Sequence, residues 1–219
     1  RKHDVGMRDR FFNVLATYFE KDRNNVIVVA DNGASSLDRF ATDFPKQYYQ
    51  VGIAEQQMVG LAAGLAKMGK KVWCYAIAPF VTTRIHEFLK LDVCAMNLPI
   101  CMVGVGAGFA YDIMGPTHHT VEDIAIMRCL PNMGIYSPAD GMTAEFLAHV
   151  SVKLGTPHYI RLDRGGLPDI YPYLPHHGGG VFVIKDGSGG LGIVATGIMV
   201  HQALKVAEHF PGTRVLDIY

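Results

Sequence analysis

The chain has little from which to build a disulfide framework or a metal knuckle. Its 219 residues include four cysteines, Cys74, Cys94, Cys101 and Cys129, set in apolar segments without C-x-x-C spacing. That excludes a small secreted scaffold and makes a reducing, cytoplasmic setting the expectation. An excess of one charge is also missing, because Lys plus Arg and Asp plus Glu both total 20. No basic stripe advertises nucleic acid or an anionic membrane surface. The N-terminal stretch RKHDVGMRDRFF lacks the apolar segment of a signal peptide. The most apolar window, Val93 to Ala110, is interrupted by Asn97, Pro99 and three glycines. It reads as helix end, turn and buried strand, not as a membrane span.

What is present is a hydrophobic content of 49%, enough for the core of one large or two small domains, and no internal repeat. Periodicity predicts a helix from Arg8 to Glu20, then a strand from Val26 to Ala30 that ends in the loop DNGASS. A short strand before Gly52, a helix from Ile53 to Met68, the strand KKVWCYAIA and a helix from Arg84 to Cys94 follow. Next come the strand PICMVGV, a loop around AYDIMGPTHH, the helix VEDIAIMRCL, the strand MGIYSPAD, the helix MTAEFLAHVSVKL and the strand PHYIRL.

Such alternation makes parallel pairing with right-handed helical crossovers the economical arrangement. The expected fold is therefore α/β, a doubly wound and mainly parallel sheet, with ligands beyond the carboxyl ends of its strands. The composition of GGLPDIYPYLPHHGGG, after Arg164, is that of a linker. We therefore expect a first domain over 1–170, a linker over 171–180 and an incomplete second α/β domain over 181–219. The last segment reads as a strand, so that domain is either cut short or continues outside this sequence.

One carboxylate stands out. In VGIAEQQMVGLAAGLA, Glu55 shares a helical face with Val59, Ala62, Ala63 and Ala66, which points it into small, closely packed residues. Two readings stay open: a partly solvated first-turn acid favoured by the helix dipole, or a desolvated acid that exchanges a proton. The loop GPTHH places His118 and His119 behind a Gly-Pro turn after a strand, where α/β enzymes carry polar catalytic groups. Zinc is the rival there, but adjacent histidines lack the i, i+4 spacing of a helical zinc site, and His176 with His177 in the linker is a poorer pair still. GVGAGF resembles a dinucleotide fingerprint, yet Phe109 stands where its third glycine belongs. Arg164, in DRGG, is either a solvated surface cation or a group that reaches a phosphate or carboxylate.

Five fragments in order, VGIAEQQMVGLAAGLA, FVTTR, GPTHH, LPNMGIYSPADG and HYIRLDRGGLP, resemble the pyrimidine-binding domain of transketolases over nearly all of Arg8 to Pro168. LGIVATGIMVHQALKVAEHF resembles the start of that family's C-terminal domain. The resemblance implies that Glu55 hydrogen-bonds N1′ of the aminopyrimidine of thiamine diphosphate, with Ile53 and Phe80 also against the cofactor and Phe80 as its stacking platform. It implies that His118 contacts donor oxygens, and that Arg8, Ser35 and Arg164 hold a sugar phosphate; Arg8 and Asp31 keep the family's separation. Two positions depart from the pattern. Met114 replaces an Asp that reads a sugar hydroxyl, with Asp112 as its nearest substitute, and Gly106 replaces a phosphate-binding His.

The chain has no counterpart of the family's GDG…Asn diphosphate motif, and KDGSGG does not replace it. The resemblance thus implies the C-terminal subunit of a split transketolase-like enzyme. Mg²⁺ and the diphosphate would then be held by an N-terminal subunit, in a heterotetramer acting on sugar phosphates. The alternatives are a 1-deoxy-xylulose-5-phosphate synthase, the β subunit of a 2-oxoacid dehydrogenase, and a non-catalytic assembly subunit.

Overall fold

The computed structural model of the chain describes residues 6–31, 33–173 and 180–219. In the main body, α1 (Met7–Phe19) leads into β1 (Asn25–Val29), α2 (Ser35–Asp43), β2 (Tyr48–Gln50), α3 (Glu55–Lys67) and β3 (Lys71–Ile77). After α4 (Ala78–Val81), a 3₁₀ turn (Thr83–Ile85), α5 (His86–Phe88) and a π-helical turn (Leu89–Cys94) comes β4 (Ile100–Val105). A 3₁₀ turn (Asp112–Met114), α6 (Asp123–Met127), β5 (Gly134–Tyr136), α7 (Gly141–Ser151) and β6 (His158–Leu162) complete it. Six strands form one parallel sheet in the order β2-β1-β3-β4-β6-β5. The chain is therefore α/β and doubly wound, as its strand and helix alternation predicts.

Strand residues alternate between two cores. In β1, Ile27 and Val29 face α1, α2 and α7, whereas Val26 and Val28 face the α3 side. A parallel strand covered on both faces is apolar throughout, which is why NVIVV carries no polar alternation. Helix α1 buries Phe11, Phe12, Leu15, Ala16 and Phe19, the i, i+4 stripe of a helix laid on a sheet. Phe12 meets Phe40 of α2 and Tyr75 of β3 edge to face at centroid distances of 5.9 and 5.1 Å. Helix α7 opens with a capping box, in which the Asp140 carboxylate accepts from the Thr143 amide at 2.7 Å.

Two local expectations differ from the structure. The segment after DNGA is helix α2, not loop; it buries only Leu37 and Phe40, too thin a stripe to read from sequence. The helix expected from Arg84 to Cys94 is instead a chain of short turns ending in a π-helical one. The break that precedes them falls at Thr82, between α4 and the 3₁₀ turn, where the Thr82 hydroxyl donates back to the Ala78 carbonyl at 2.7 Å. A side chain bonding into the ladder weakens helix continuity, and π-turns of this kind recur at functional sites.

Beyond the main sheet, β7 (Val181–Lys185), β8 (Gly192–Ala195), α8 (Met199–His209) and β9 (Arg214–Ile218) build a second, three-stranded sheet in the order β7-β9-β8. It docks on the main body through Ala139, Tyr171 and Val200. The Tyr171 hydroxyl donates to Asp217 at 2.7 Å, and Asp140 accepts from the amides of Ile170 and Tyr171. His176 and His177, with most of the expected linker, lie outside the described residues.

Candidate active site

The carboxyl ends of the strands release their loops toward one edge of the sheet. The strand order reverses at β1, flanked by β2 and β3, which is the switch point where open α/β sheets take ligands. Asp31 and Ser35 follow β1, Ile53 and Glu55 follow β2, Phe80 and Arg84 follow β3, Asp112 and His118 follow β4, and Arg164 follows β6. Arg8 arrives from the start of α1, where a Cβ on Gly6 would lie within 3.7 Å of the backbone of Arg164 and Gly165.

Glu55 is the first residue of α3 and only 3% exposed. Met58, Val59, Ala62, Ala63 and Ala66 continue its buried face, so the solvated reading falls. Its Oε2 accepts from Arg84 Nη1 at 3.0 Å; Oε1 takes no hydrogen bond from a described residue. The buried acid thus keeps one oxygen for a partner from outside.

From Glu55 a line of contacts runs on through the loops. The Arg84 guanidinium carbon lies 3.8 Å from the Phe80 ring centroid. The Phe80 ring meets the His118 imidazole at 5.3 Å in an edge-on arrangement, and His118 lies 6.0 Å from the Tyr111 ring. Tyr111 in turn carries Arg164 over its face, with 4.8 Å from guanidinium carbon to ring centroid. His118 Nδ1 is 2.9 Å from the Thr117 hydroxyl, which fixes the ring's rotation. Burial raises the Tyr111 phenol above its usual range while Arg164 and Arg8 pull it back down. Arg8 also pairs with Asp9 at 2.9 Å and pulls down the Tyr75 phenol, which burial pushes up to about 12.

The structure thus joins Glu55, Phe80, His118 and Arg164 in one contact chain, with Arg8 electrostatically linked to Tyr111 at its end. Ile53, 78% exposed, stands outside α3 on the turn made by Gly52 at φ +73°. Ser35 is exposed in the first turn of α2. Asp112 turns its carboxylate onto the amide of Ile113 at 2.6 Å and gives its carbonyl to His119 Nε2 at 3.1 Å. Met114, at the position of the missing Asp, is 51% exposed.

Sequence reading missed three things here. Arg84 and Tyr111 are ordinary by type and spacing, and only the folded loops bring them against Glu55 and Arg164. The third is a buried polar triad in which Asp123, 1% exposed, accepts from Tyr159 at 2.9 Å and from Arg161 at 2.7 Å. GVGAGF is no nucleotide fingerprint: Gly106 and Gly108 have positive φ because they turn the chain off β4, and no helix starts there.

The residues present fit an aminopyrimidine: a buried carboxylate with one oxygen uncommitted, close to an aromatic ring. Among the described residues no group of three or more His, Cys, Asp and Glu side chains is arranged to hold a metal ion, and no helix is long and apolar enough to cross a membrane.

The chain matches the family described as transketolase, pyrimidine binding domain, over residues 3–169. It is 34% identical over 221 residues to one of the subunits of the apulose-4-phosphate transketolase of Phocaeicola vulgatus, covering 98% of this chain and 70% of that one. It is 36% identical over 207 residues to a 6-deoxy-6-sulfo-D-fructose transketolase subunit of a Clostridium species, covering 94% and 64%. The fold superposes with a TM-score of 0.84, at 32% identity, on a split-gene transketolase solved as an inactive β4 tetramer, over 97% of this chain and 71% of the other. The chain therefore spans 64–70% of the length of these two curated relatives. Agreement of motif order, sheet order and identity along nearly its whole length places this chain in the transketolase pyrimidine-binding domain family.

Proposed function

We propose that the chain is the C-terminal subunit of a transketolase-like transferase that moves a two-carbon ketol unit between sugar phosphates. The observation that carries this reading is the line of contacts from Glu55 through Arg84, Phe80, His118 and Tyr111 to Arg164. It puts a buried acid at one end of a line of side chains, an imidazole in the middle and a guanidinium at the other end.

Thiamine diphosphate, when bound, supplies a nucleophilic carbon and an electron sink that no side chain offers. Glu55 would hold its aminopyrimidine through the uncommitted Oε1, the atom at which this carboxyl group would accept or give a proton. Burial serves this exchange, because a low local dielectric strengthens the hydrogen bond and excludes competing water. Phe80 offers a flat apolar surface to the ring, and Ile53 lies on the approach to it. His118 binds the donor's oxygens and holds or moves a proton at them. Arg8 and Arg164, joined by Ser35 from α2, supply the charge and donors that a sugar phosphate needs. Met114 offers no hydrogen bond where the family reads a hydroxyl, so the substrate differs there from an ordinary ketose phosphate.

Residues 1–170 act in this reading as the pyrimidine-binding unit and 181–219 as part of the C-terminal domain. Mg²⁺ and the diphosphate are held by an N-terminal subunit, the two chains form a heterotetramer in the cytoplasm, and this chain alone is inactive. That a related split-gene enzyme was solved as an inactive tetramer of its β chains supports the last point.

The test is to purify the chain alone and with its N-terminal partner, titrate thiamine diphosphate and Mg²⁺, and assay ketol transfer from ketose phosphates and from pyruvate. Full activity of the isolated chain overturns the split. Consumption of pyruvate in place of ketoses moves the enzyme to the 1-deoxy-xylulose-5-phosphate synthase branch.

A further inference from the structure

Glu55 and Arg84 come from different loops, one after β2 and one after β3, and meet at 3.0 Å. The Glu55 side chain is 4% exposed and that of Arg84 37%, so the pair joins a desolvated acid to a cation that still reaches water. Arg84 is itself immobilised. Its guanidinium lies on the Phe80 ring, the preceding Thr83 hydroxyl donates to Glu122 at 3.0 Å, and the same Glu122 carboxylate accepts from the Val121 amide at 2.9 Å. Beyond the break at Thr82, the chain at Thr83, next to Arg84, is thus braced from the loop before α6.

We propose that Arg84 is the positioning residue for Glu55. By holding Oε2 it fixes the carboxylate plane and leaves Oε1 as the only oxygen that a ring nitrogen can approach. The inference rests on the function proposed above and names a group that acts through Glu55, not on substrate. Three rotatable bonds otherwise let a glutamate swing, and a misplacement of about 1 Å at a catalytic group costs on the order of a hundredfold in rate. A planar guanidinium suits the task better than an ammonium, because it stacks on the ring and presents its N–H groups in a fixed fork. The competing account is that Arg84 merely neutralises a buried charge.

The two accounts separate in the natively assembled enzyme carrying Arg84→Met, Arg84→Lys or Arg84→Gly. Positioning predicts a kcat lowered roughly a hundredfold in Arg84→Met, with donor KM changed less than about threefold. It predicts a weakened near-ultraviolet circular dichroism of the bound cofactor at saturation, little recovery in Arg84→Lys, and recovery of Arg84→Gly by millimolar guanidinium ion. Wild-type kcat and dichroism in a folded Arg84→Met enzyme overturn the proposal. So does full recovery by lysine, since that requires charge alone. If the methionine variant does not fold, the lysine variant and the guanidinium series decide. Glu55→Gln is assayed alongside: near-normal turnover there removes the functional reading itself, whereas an inactive Glu55→Gln with an unaffected Arg84→Met removes only the role of Arg84.

Discussion

The Tyr111 ring fills the space that a side chain at residue 106 would need: a Cβ built on Gly106 runs into that ring. Gly106 is therefore the cradle of a tyrosine, and that tyrosine carries Arg164 on its face. Gly106 also sits at φ +76°, where a side chain adds backbone strain.

Gly106→Ala should thus cost about 1–3 kcal/mol of stability, from strain and from the displaced ring. It should also raise KM for a phosphorylated substrate more than it lowers kcat, because Arg164 loses the ring it rests on. Denaturant unfolding with steady-state kinetics checks both; an unchanged KM in a folded variant disproves the link between Tyr111 and Arg164.

Glu55→Gln keeps the shape of the side chain and most of its burial but cannot exchange the proton. We expect turnover in the assembled enzyme to fall by about two to four orders of magnitude while the fold persists. Circular dichroism of the backbone and a progress curve at saturating cofactor are the measurements.

Asp123→Ala removes the acceptor shared by Tyr159 and Arg161 and strands a buried phenol and a partly buried guanidinium. Leaving such groups without a partner costs about 1–3 kcal/mol. Double-mutant cycles with Arg161→Met should show a coupling well above zero; simple additivity would mean that Asp123 and Arg161 do not interact energetically.

His158 sets a pH dependence of stability. Burial drives its imidazole down to about 4, partly opposed by the Thr156 carbonyl that Nδ1 contacts at 2.9 Å. An unfolded histidine protonates near 6.5, so between the two values the unfolded chain binds a proton that the fold refuses. Stability is then full above about pH 6.5 and is lost as pH falls, by about 3 kcal/mol at pH 4. Asp217, buried and held up to about 6, works in the opposite direction: the fold binds the extra proton, so its contribution declines as pH rises toward 6. Unfolding curves of wild type and His158→Val from pH 4 to 7 isolate the histidine, whose removal should flatten the acid side.

Much of the fold is readable in the order of residues alone. The apolar runs Val26–Val29 and Ile100–Val105 announce buried strands, because a sheet covered on both faces favours apolar residues at successive positions. Helix α2 escaped because two buried residues, Leu37 and Phe40, make too faint a period. The stretch expected as a helix from Arg84 to Cys94 is helical in mixed form, 3₁₀, then α, then π, and a period read from sequence does not distinguish these turns. The second, three-stranded sheet was legible as alternation, but its docking through Tyr171 and Asp217 was not.

The site divides in the same way. Sequence alone determined which loops are candidates for the proposed site, since a lone acid in a run of small apolar residues and a His after a Gly-Pro turn are local facts, written in neighbouring positions. Tertiary structure decided who meets whom: that Glu55 faces Arg84, that Phe80 lies between Arg84 and His118, and that Tyr111 occupies the hollow of Gly106 beneath Arg164. Those contacts join loops from separate strands, and their partners are set by the order and twist of the sheet, which no local pattern encodes.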